Sequence, residues 1–288
     1  MANLRKLTFF SVFSTISCLI VLATYIYSKA PVDHLKSKIF YRANSLNKAR
    51  VIGLQSSNHL TIKKISPYLL IATIAVEDQK FYKHIGIDFK EIQTSLLDYL
   101  FKGRKLRGAS TISQQLMKSI FFPKTKSFFR KFNEAIYTLK LERNFTKNEI
   151  LELYLNCVHW GNRVYGIQEA ASKYINSSVD KLSIEDAVLL ISLLPNPIQR
   201  EKSLQIRVIS NELKRALINN LYKTHYVLDY YQDKDILLSQ KFDLISFTPM
   251  DQIFSYRVKQ REIKTRVKEK VEKSFNSIIK KFFTAKTI

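Results

Sequence analysis

The sequence predicts a mainly α-helical domain carried on one N-terminal membrane-spanning helix. Three observations lead there: an uncharged apolar run opens the chain, helix-start signals recur at short intervals after it, and strand signals are few. The 288 residues are 46% hydrophobic with only 6 Gly and 6 Pro, so a packed core is expected. Disordered, collagenous and low-complexity classes are excluded by the same figures. The length suits one domain with additions at its ends.

The apolar run, Leu7 to Ser28, is long enough at about 1.5 Å per residue to cross a hydrocarbon core of roughly 30 Å. A cleaved signal peptide is the alternative, but its apolar region usually spans only about 7 to 15 residues. Pro31 also follows the one small-residue site, Ser28 to Ala30. Arg5 and Lys6 precede the span, so the positive-inside bias places the N-terminus in the cytoplasm and the rest outside, although Lys29, Lys36 and Lys38 reduce the asymmetry. The expected organisation is a tail at 1–6, an anchor at 7–28, a folded domain at 29–225 and a basic extension at 226–288.

Charge sharpens the picture. With 47 Lys+Arg against 24 Asp+Glu the formal charge is +23, which first suggests nucleic acid. A domain tethered outside the cytoplasm seldom meets nucleic acid, so anionic headgroups or a phosphate-bearing lipid fit better. Cys18 and Cys157 make neither a disulfide framework nor a zinc site.

Past the anchor, Ala49 to Lys64 has the alternating character of a hairpin. Ser66 and Pro67 read as N-cap and first residue of an apolar helix running through Val76. Thr111 with Gln114, and Thr146 with Glu149, have capping-box spacing. Ser183 with Asp186 opens a helix rich in Ala, Val, Leu and Ile that stops by Pro195 and is expected to be buried. From about Tyr226 the composition shifts, and Arg257 to Lys281 is strongly basic. Val267, Val271, Phe275, Ile278, Ile279 and Phe282 recur there at helical spacing, which fits a helix lying on anionic membrane or one packed on the domain.

Three constellations can carry chemistry. In the first, an apolar helix runs into Glu77 and Asp78, followed by Phe81, His84 and Gly86; a carboxylate at such a helix end is partly desolvated and becomes a usable proton acceptor. In the second, Gly108 to Lys118, a turn with Ser110 and Thr111 opens a helix whose free N–H groups favour phosphate oxygens, and Lys118 stands one turn beyond Gln114 and Gln115. A plain capping box explains Thr111 and Gln114 equally well. In the third, Arg130 and Lys131 precede Glu134 on one helix, a set that suits pyrophosphate recognition or a simple surface ion pair.

In this order, and followed by Glu152-Leu-Tyr-Leu-Asn156 and by Trp160 to Ala171, the constellations resemble the peptidoglycan glycosyltransferases of the glycosyltransferase 51 family. The Trp160 to Ala171 segment and the short length are similar to its monofunctional biosynthetic members. The resemblance covers about Ser66 to Pro197. It implies a lysozyme-like helical domain that polymerises lipid II at the outer face of the cytoplasmic membrane. Glu77 then matches the general base, and Lys118, Arg130 and Lys131 match positions that bind the pyrophosphate. Glu134 matches a second essential acid that orders the site or helps to hold a divalent cation. Asp78, Phe81, His84, Ser110, Thr111, Gln114 and Gln115 fall in the substrate-binding motifs. The resemblance implies no tightly bound cofactor, with Mg²⁺ or Mn²⁺ as the candidate ion. The implied partners are lipid II, the nascent lipid-linked glycan, membrane lipids and other cell-wall synthesis proteins, with no nucleic acid.

Two departures stand out: Ser113 where a second Thr is common, and Arg163 where Gly often occurs. The competing readings are a lytic enzyme that cleaves glycan and an inactive membrane-bound scaffold. Ser45 to Lys48 and Ser178 to Lys181 match Ser-x-x-Lys, but without a following Lys-Thr-Gly no transpeptidase is expected.

Overall fold

The leading apolar run forms one helix, α1 (Ala2–Lys29). In the computed structural model, which describes residues 2–42, 49–103, 110–122, 127–205, 209–232 and 260–284, the stretch Ser11–Lys36 is long and apolar enough to cross a membrane. Its mean hydropathy is 1.6 and its apolar window is not buried against the protein. Lys140 fastens the end of this anchor to the domain: its Nζ donates to the Ala30 carbonyl at 2.7 Å and pairs with Asp33 at 3.0 Å.

The domain is a helical assembly with two short antiparallel ribbons. Its helices are α2 (Pro67–Glu77), α3 (Phe89–Lys102), α4 (Ile112–Phe121), α5 (Phe128–Asn144), α6 (Lys147–Cys157), α7 (Ile167–Ala170), α8 (Ile184–Ile191), α9 (Pro197–Gln205), α10 (Asn211–Gln232) and α11 (Gln260–Thr284). One ribbon pairs β1 (Ile39–Arg42) with β2 (Ala49–Ile52), Ile39 opposite Ile52; the other pairs β3 (His159–Gly161) with β4 (Val164–Tyr165).

The centre is α2. Leu69 to Ala75 are all buried, so this helix is apolar on every side and must be enclosed, which α8 and α10 accomplish. Each fully buried aliphatic side chain there contributes about 1.5–3 kcal/mol, offset by ordering entropy. The three capping boxes form as their spacing predicts, at Thr111 with Gln114, Thr146 with Glu149 and Ser183 with Asp186. The helix opened by Ser183 is buried from Ala187 to Ile191 except at Leu189.

Two expectations are corrected. Ser66 stands at the N-cap position but does not cap; its hydroxyl donates to the Leu182 carbonyl at 2.7 Å, tying α2 to the start of α8. The paired strands lie at 39–42 and 49–52 rather than within 49–64: β2 ends at Ile52, before Gly53, whose φ of +143° and close approach to the Ser37 carbonyl exclude a side chain. Residue 226, where the composition shifts, lies within α10. Of the two readings of the basic tail, packing on the domain is the one seen. Val267, Val271 and Ile278 are buried, Ser274 donates to Glu185 at 2.7 Å, and Lys281 pairs with Asp186 at 3.0 Å. Lys270 pairs with Asp229 of α10. The Phe282 side chain lies outside the described residues.

Arg163 adopts φ +62°, a left-handed conformation that glycine accepts more easily than arginine, so the departure seen in the sequence falls on a position with a conformational demand. Ile278 is 2% exposed, and Ile278→Ala should lower the free energy of unfolding by about 2–4 kcal/mol in a detergent-solubilised denaturation titration. An unchanged midpoint would mean that α11 does not pack on α8 and α10.

Candidate active site

Two adjacent acids leave α2 in opposite chemical circumstances. Glu77 is the last residue of the helix, where the carbonyl dipoles disfavour an anion. The residue keeps an exposed edge, yet its carboxyl is crowded, and desolvation is the main reason its pKa stands above the ordinary 4.5. A hydrogen bond from Gln115 and the charges of Lys223 and Arg200 pull it back down, while Asp78 pushes it up. Gln115 Nε2 donates to Glu77 Oε2 at 3.0 Å, and its Oε1 accepts from the Tyr154 hydroxyl at 3.1 Å. A buried tyrosine on α6 thereby fixes an amide on α4, which orients the acid on α2.

Asp78 is committed to the scaffold. Its Oδ2 accepts the backbone N–H of Ile112 at 3.0 Å, capping α4 from outside, and both oxygens lie 3.0 Å from His84 Nε2. His84 Nδ1 accepts the Gly86 N–H at 3.0 Å, so Nε2 is the nitrogen that carries the proton toward Asp78. Gly86, at φ +89°, lets this loop lie against α5, since an added Cβ would stand 2.6 Å from Thr138 Cγ2. The Gly86 carbonyl accepts from the Thr111 hydroxyl at 2.5 Å.

The cationic side is built from α4, α5 and the residue before α4's cap. Glu134 is 1% exposed; Arg130 Nη1 approaches one oxygen at 2.6 Å and Lys131 Nζ the other at 2.5 Å. Lys131 Nζ also lies 3.4 Å from Ser110 Oγ, joining this cluster to the start of α4. Lys118 is exposed and has no side-chain partner among the described residues. It follows Gln115 by three positions on α4, which sets their Cβ atoms about 5–6 Å apart. Glu77 and the cations are thus linked through one helix, α4.

The structure therefore divides the residues expected to bind substrate. Glu77, Ser110, Gln115, Lys118, Arg130 and Lys131 retain at least partial exposure. Asp78, His84, Thr111 and Gln114 are instead satisfied within the protein, and Phe81 is wholly buried against Tyr82 and under Lys147. In this structure these five side chains are engaged within the protein. Gly108 and Ala109 lie outside the described residues. Glu134 does not fit a metal ligand, because both its oxygens are taken by cations, and among the described residues no three His, Cys, Asp or Glu side chains gather as a metal site.

Glu152 and Asn156 also serve the scaffold. Glu152 accepts the Ile62 N–H at 2.7 Å and pairs with His59, while the Asn156 amide bonds both backbone groups of Leu60. A cavity of about 860 Å³ lies on this side of α6, lined by His59, Asn156, Tyr165 and Glu169 among others. It does not include Glu77, whose support comes from Tyr154 on the other face of the helix. Local spacing gave no hint of Tyr154, Lys223 or Arg200 as neighbours of Glu77, since each arrives from a distant element.

Comparison with known proteins gives the family. A family model described as transglycosylase matches residues 45–221, more than half of the chain, and the chain belongs to that family. A biosynthetic peptidoglycan transglycosylase of Dechloromonas aromatica is 47% identical over 135 residues, covering 47% of this chain and 58% of that protein. One from Nitrosospira multiformis is 41% identical over 156 residues, covering 54% of this chain and 68% of its own length. Penicillin-binding protein 2D of Bacillus subtilis is 34% identical over 200 residues, 68% of this chain but 29% of that protein. The chain thus spans little more than half of the first of these relatives.

Replacing Asp78 by Ala strands the buried Ile112 N–H and frees His84. The variant should lose about 2 kcal/mol of stability in chemical denaturation. A loss below about 0.5 kcal/mol would contradict the scaffold role given to this carboxylate.

Proposed function

We propose that the chain polymerises lipid II into β-1,4-linked glycan, with release of undecaprenyl pyrophosphate. The observation that carries this reading is that α4 joins the two halves of the site: its Gln115 bonds the desolvated acid at the end of α2, and Ser110, just before it, lies beside Lys131 of α5. A sugar hydroxyl is a poor nucleophile, so the acceptor 4-hydroxyl gives its proton to Glu77 as its oxygen attacks the donor's anomeric carbon. The bond from that carbon to the pyrophosphate breaks with inversion. Negative charge develops on the departing diphosphate, and Lys118, Arg130 and Lys131 are the groups that stabilise it. Glu134 holds Arg130 and Lys131 in place as a positioning acid. Cleavage of finished glycan would have no use for these cations, which disfavours a lytic reading.

A membrane setting supports the same substrate. Phe89, Leu96, Leu100 and Phe101 of α3 and Phe128 of α5 are exposed apolar side chains, with Lys90 and Lys102 beside them, a face suited to an anionic lipid surface. With α1 in the membrane and the catalytic domain on its extracytoplasmic side, the lipid-linked donor and acceptor reach the site from that surface. Other cell-wall synthesis proteins are the expected protein partners.

Incubation of the full chain with lipid II should yield polymer. Glu77→Gln should reduce the rate by about 10²–10⁴ while leaving the fold intact. Because the base works only when deprotonated and burial raises its pKa, the wild-type rate should fall as pH drops through a value above 4.5. Glycan synthesis by Glu77→Gln at the wild-type rate would end the assignment. Lys118→Ala and Arg130→Ala should each weaken binding of a pyrophosphate-bearing substrate analogue by about tenfold or more, as charge-assisted contacts predict. Unchanged affinity in a calorimetric titration would remove them from the leaving-group site.

A further inference from the structure

Glu77 has a neighbour that lies beyond the family match and all five motifs. Lys223, on α10, brings its Nζ to 3.5 Å from the carbonyl oxygen of Val76, the residue before Glu77. The side chain is half-buried and closes no ion pair with any described carboxylate. Burial pulls its pKa down, and Glu77 is the carboxylate that pushes it back up.

The other charges around Glu77 are already committed. Arg200 of α9 donates to the Ser192 carbonyl at 2.6 Å and pairs with Glu212 at 2.8 Å. Asp78 opposes ionisation of Glu77 and is itself held by Ile112 and His84. Gln115 of α4 and Tyr154 of α6 supply dipoles without charge. Glu185 and Asp186 of α8, which packs on α2, face Ser274 and Lys281 of α11. Lys223 is therefore the uncompensated cation at the end of α2 among the described residues. Its helix is fixed in turn by α11, through the Lys270–Asp229 pair and the hydrogen bond between His225 and Ser274 at 3.0 Å.

A base buried this far gains proton affinity but risks being protonated before substrate arrives. We propose that Lys223 is a positioning residue of this reaction: its ammonium, delivered by α10, holds the Glu77 carboxyl ionised until the acceptor hydroxyl binds. The cation does not touch the reacting atoms; it sets the pH range over which the base is ready. This inference rests on Glu77 being the base.

The test is the pH profile of lipid II polymerisation by the full chain in detergent, for wild type, Lys223→Met and Lys223→Arg. Lys223→Met should move the acidic limb of kcat upward by about one pH unit, with KM unchanged and most of the rate recovered at alkaline pH. Lys223→Arg, which keeps the charge, should leave the limb near its wild-type position. Lys223→Gln, which keeps a polar contact for the Val76 carbonyl, is the second neutral variant and should show the same displacement. A uniform loss of rate at every pH, or a change in KM alone, would overturn the role of Lys223. If Glu77→Gln is inert and the limb still does not move, only Lys223 is misassigned; if Glu77→Gln remains active, the base assignment falls and this inference with it.

Discussion

The architecture turns on a single electrostatic constraint, a carboxyl group held at the end of a helix that is buried from Leu69 to Ala75. The position of this helix, α2, is dictated by α8 and α10, and Glu77 stands at its C-terminal end. The carboxyl is partly desolvated there, and the carbonyl end of the helix dipole disfavours its anion. Such a group remains useful only if other elements supply what water would. Gln115 gives a hydrogen bond, Tyr154 fixes Gln115, and Lys223 and Arg200 supply field. Four helices thus converge on one carboxyl, which explains why a site built from short motifs needs the whole domain.

Neighbouring acids divide the labour by their position relative to helix ends. Asp78, one residue after Glu77, reaches the amino end of α4, where a carboxylate is favoured, and ties α4 to the loop through His84. Glu134 is the most buried acid of the site, and it is surrounded by Arg130 and Lys131. Breaking such a buried pair from one side leaves charge uncompensated, so Glu134 can be essential without taking part in proton transfer. Lys118 is left without a partner among the described residues, which suits a group reserved for a ligand.

Much of this was legible in the sequence where the signal is local. Capping boxes are three-residue patterns with a definite hydrogen-bond geometry, and all three form. The apolar run of α1 and the helical spacing of Val267, Val271 and Ile278 follow from periodicity alone. Long-range partners were hidden. Ser66 has the sequence of a cap, yet Leu182 lies close enough to claim its hydroxyl. Phe81 reads as part of a substrate motif, but its ring is needed under Lys147. No pattern reveals Lys223 beside Glu77, because 147 residues separate the hydrogen-bonded Lys223 and Val76 and no period connects them.

The central claim is spatial: the acid and the cations address one ligand. The most direct measurement is a crystal structure with a bound lipid pyrophosphate donor and a disaccharide acceptor. The account predicts the diphosphate between Lys118, Arg130 and Lys131, with the acceptor 4-hydroxyl within hydrogen-bond reach, about 2.6–3.2 Å, of Glu77. A diphosphate bound away from those three side chains, or an acceptor hydroxyl facing an acid other than Glu77, would contradict it.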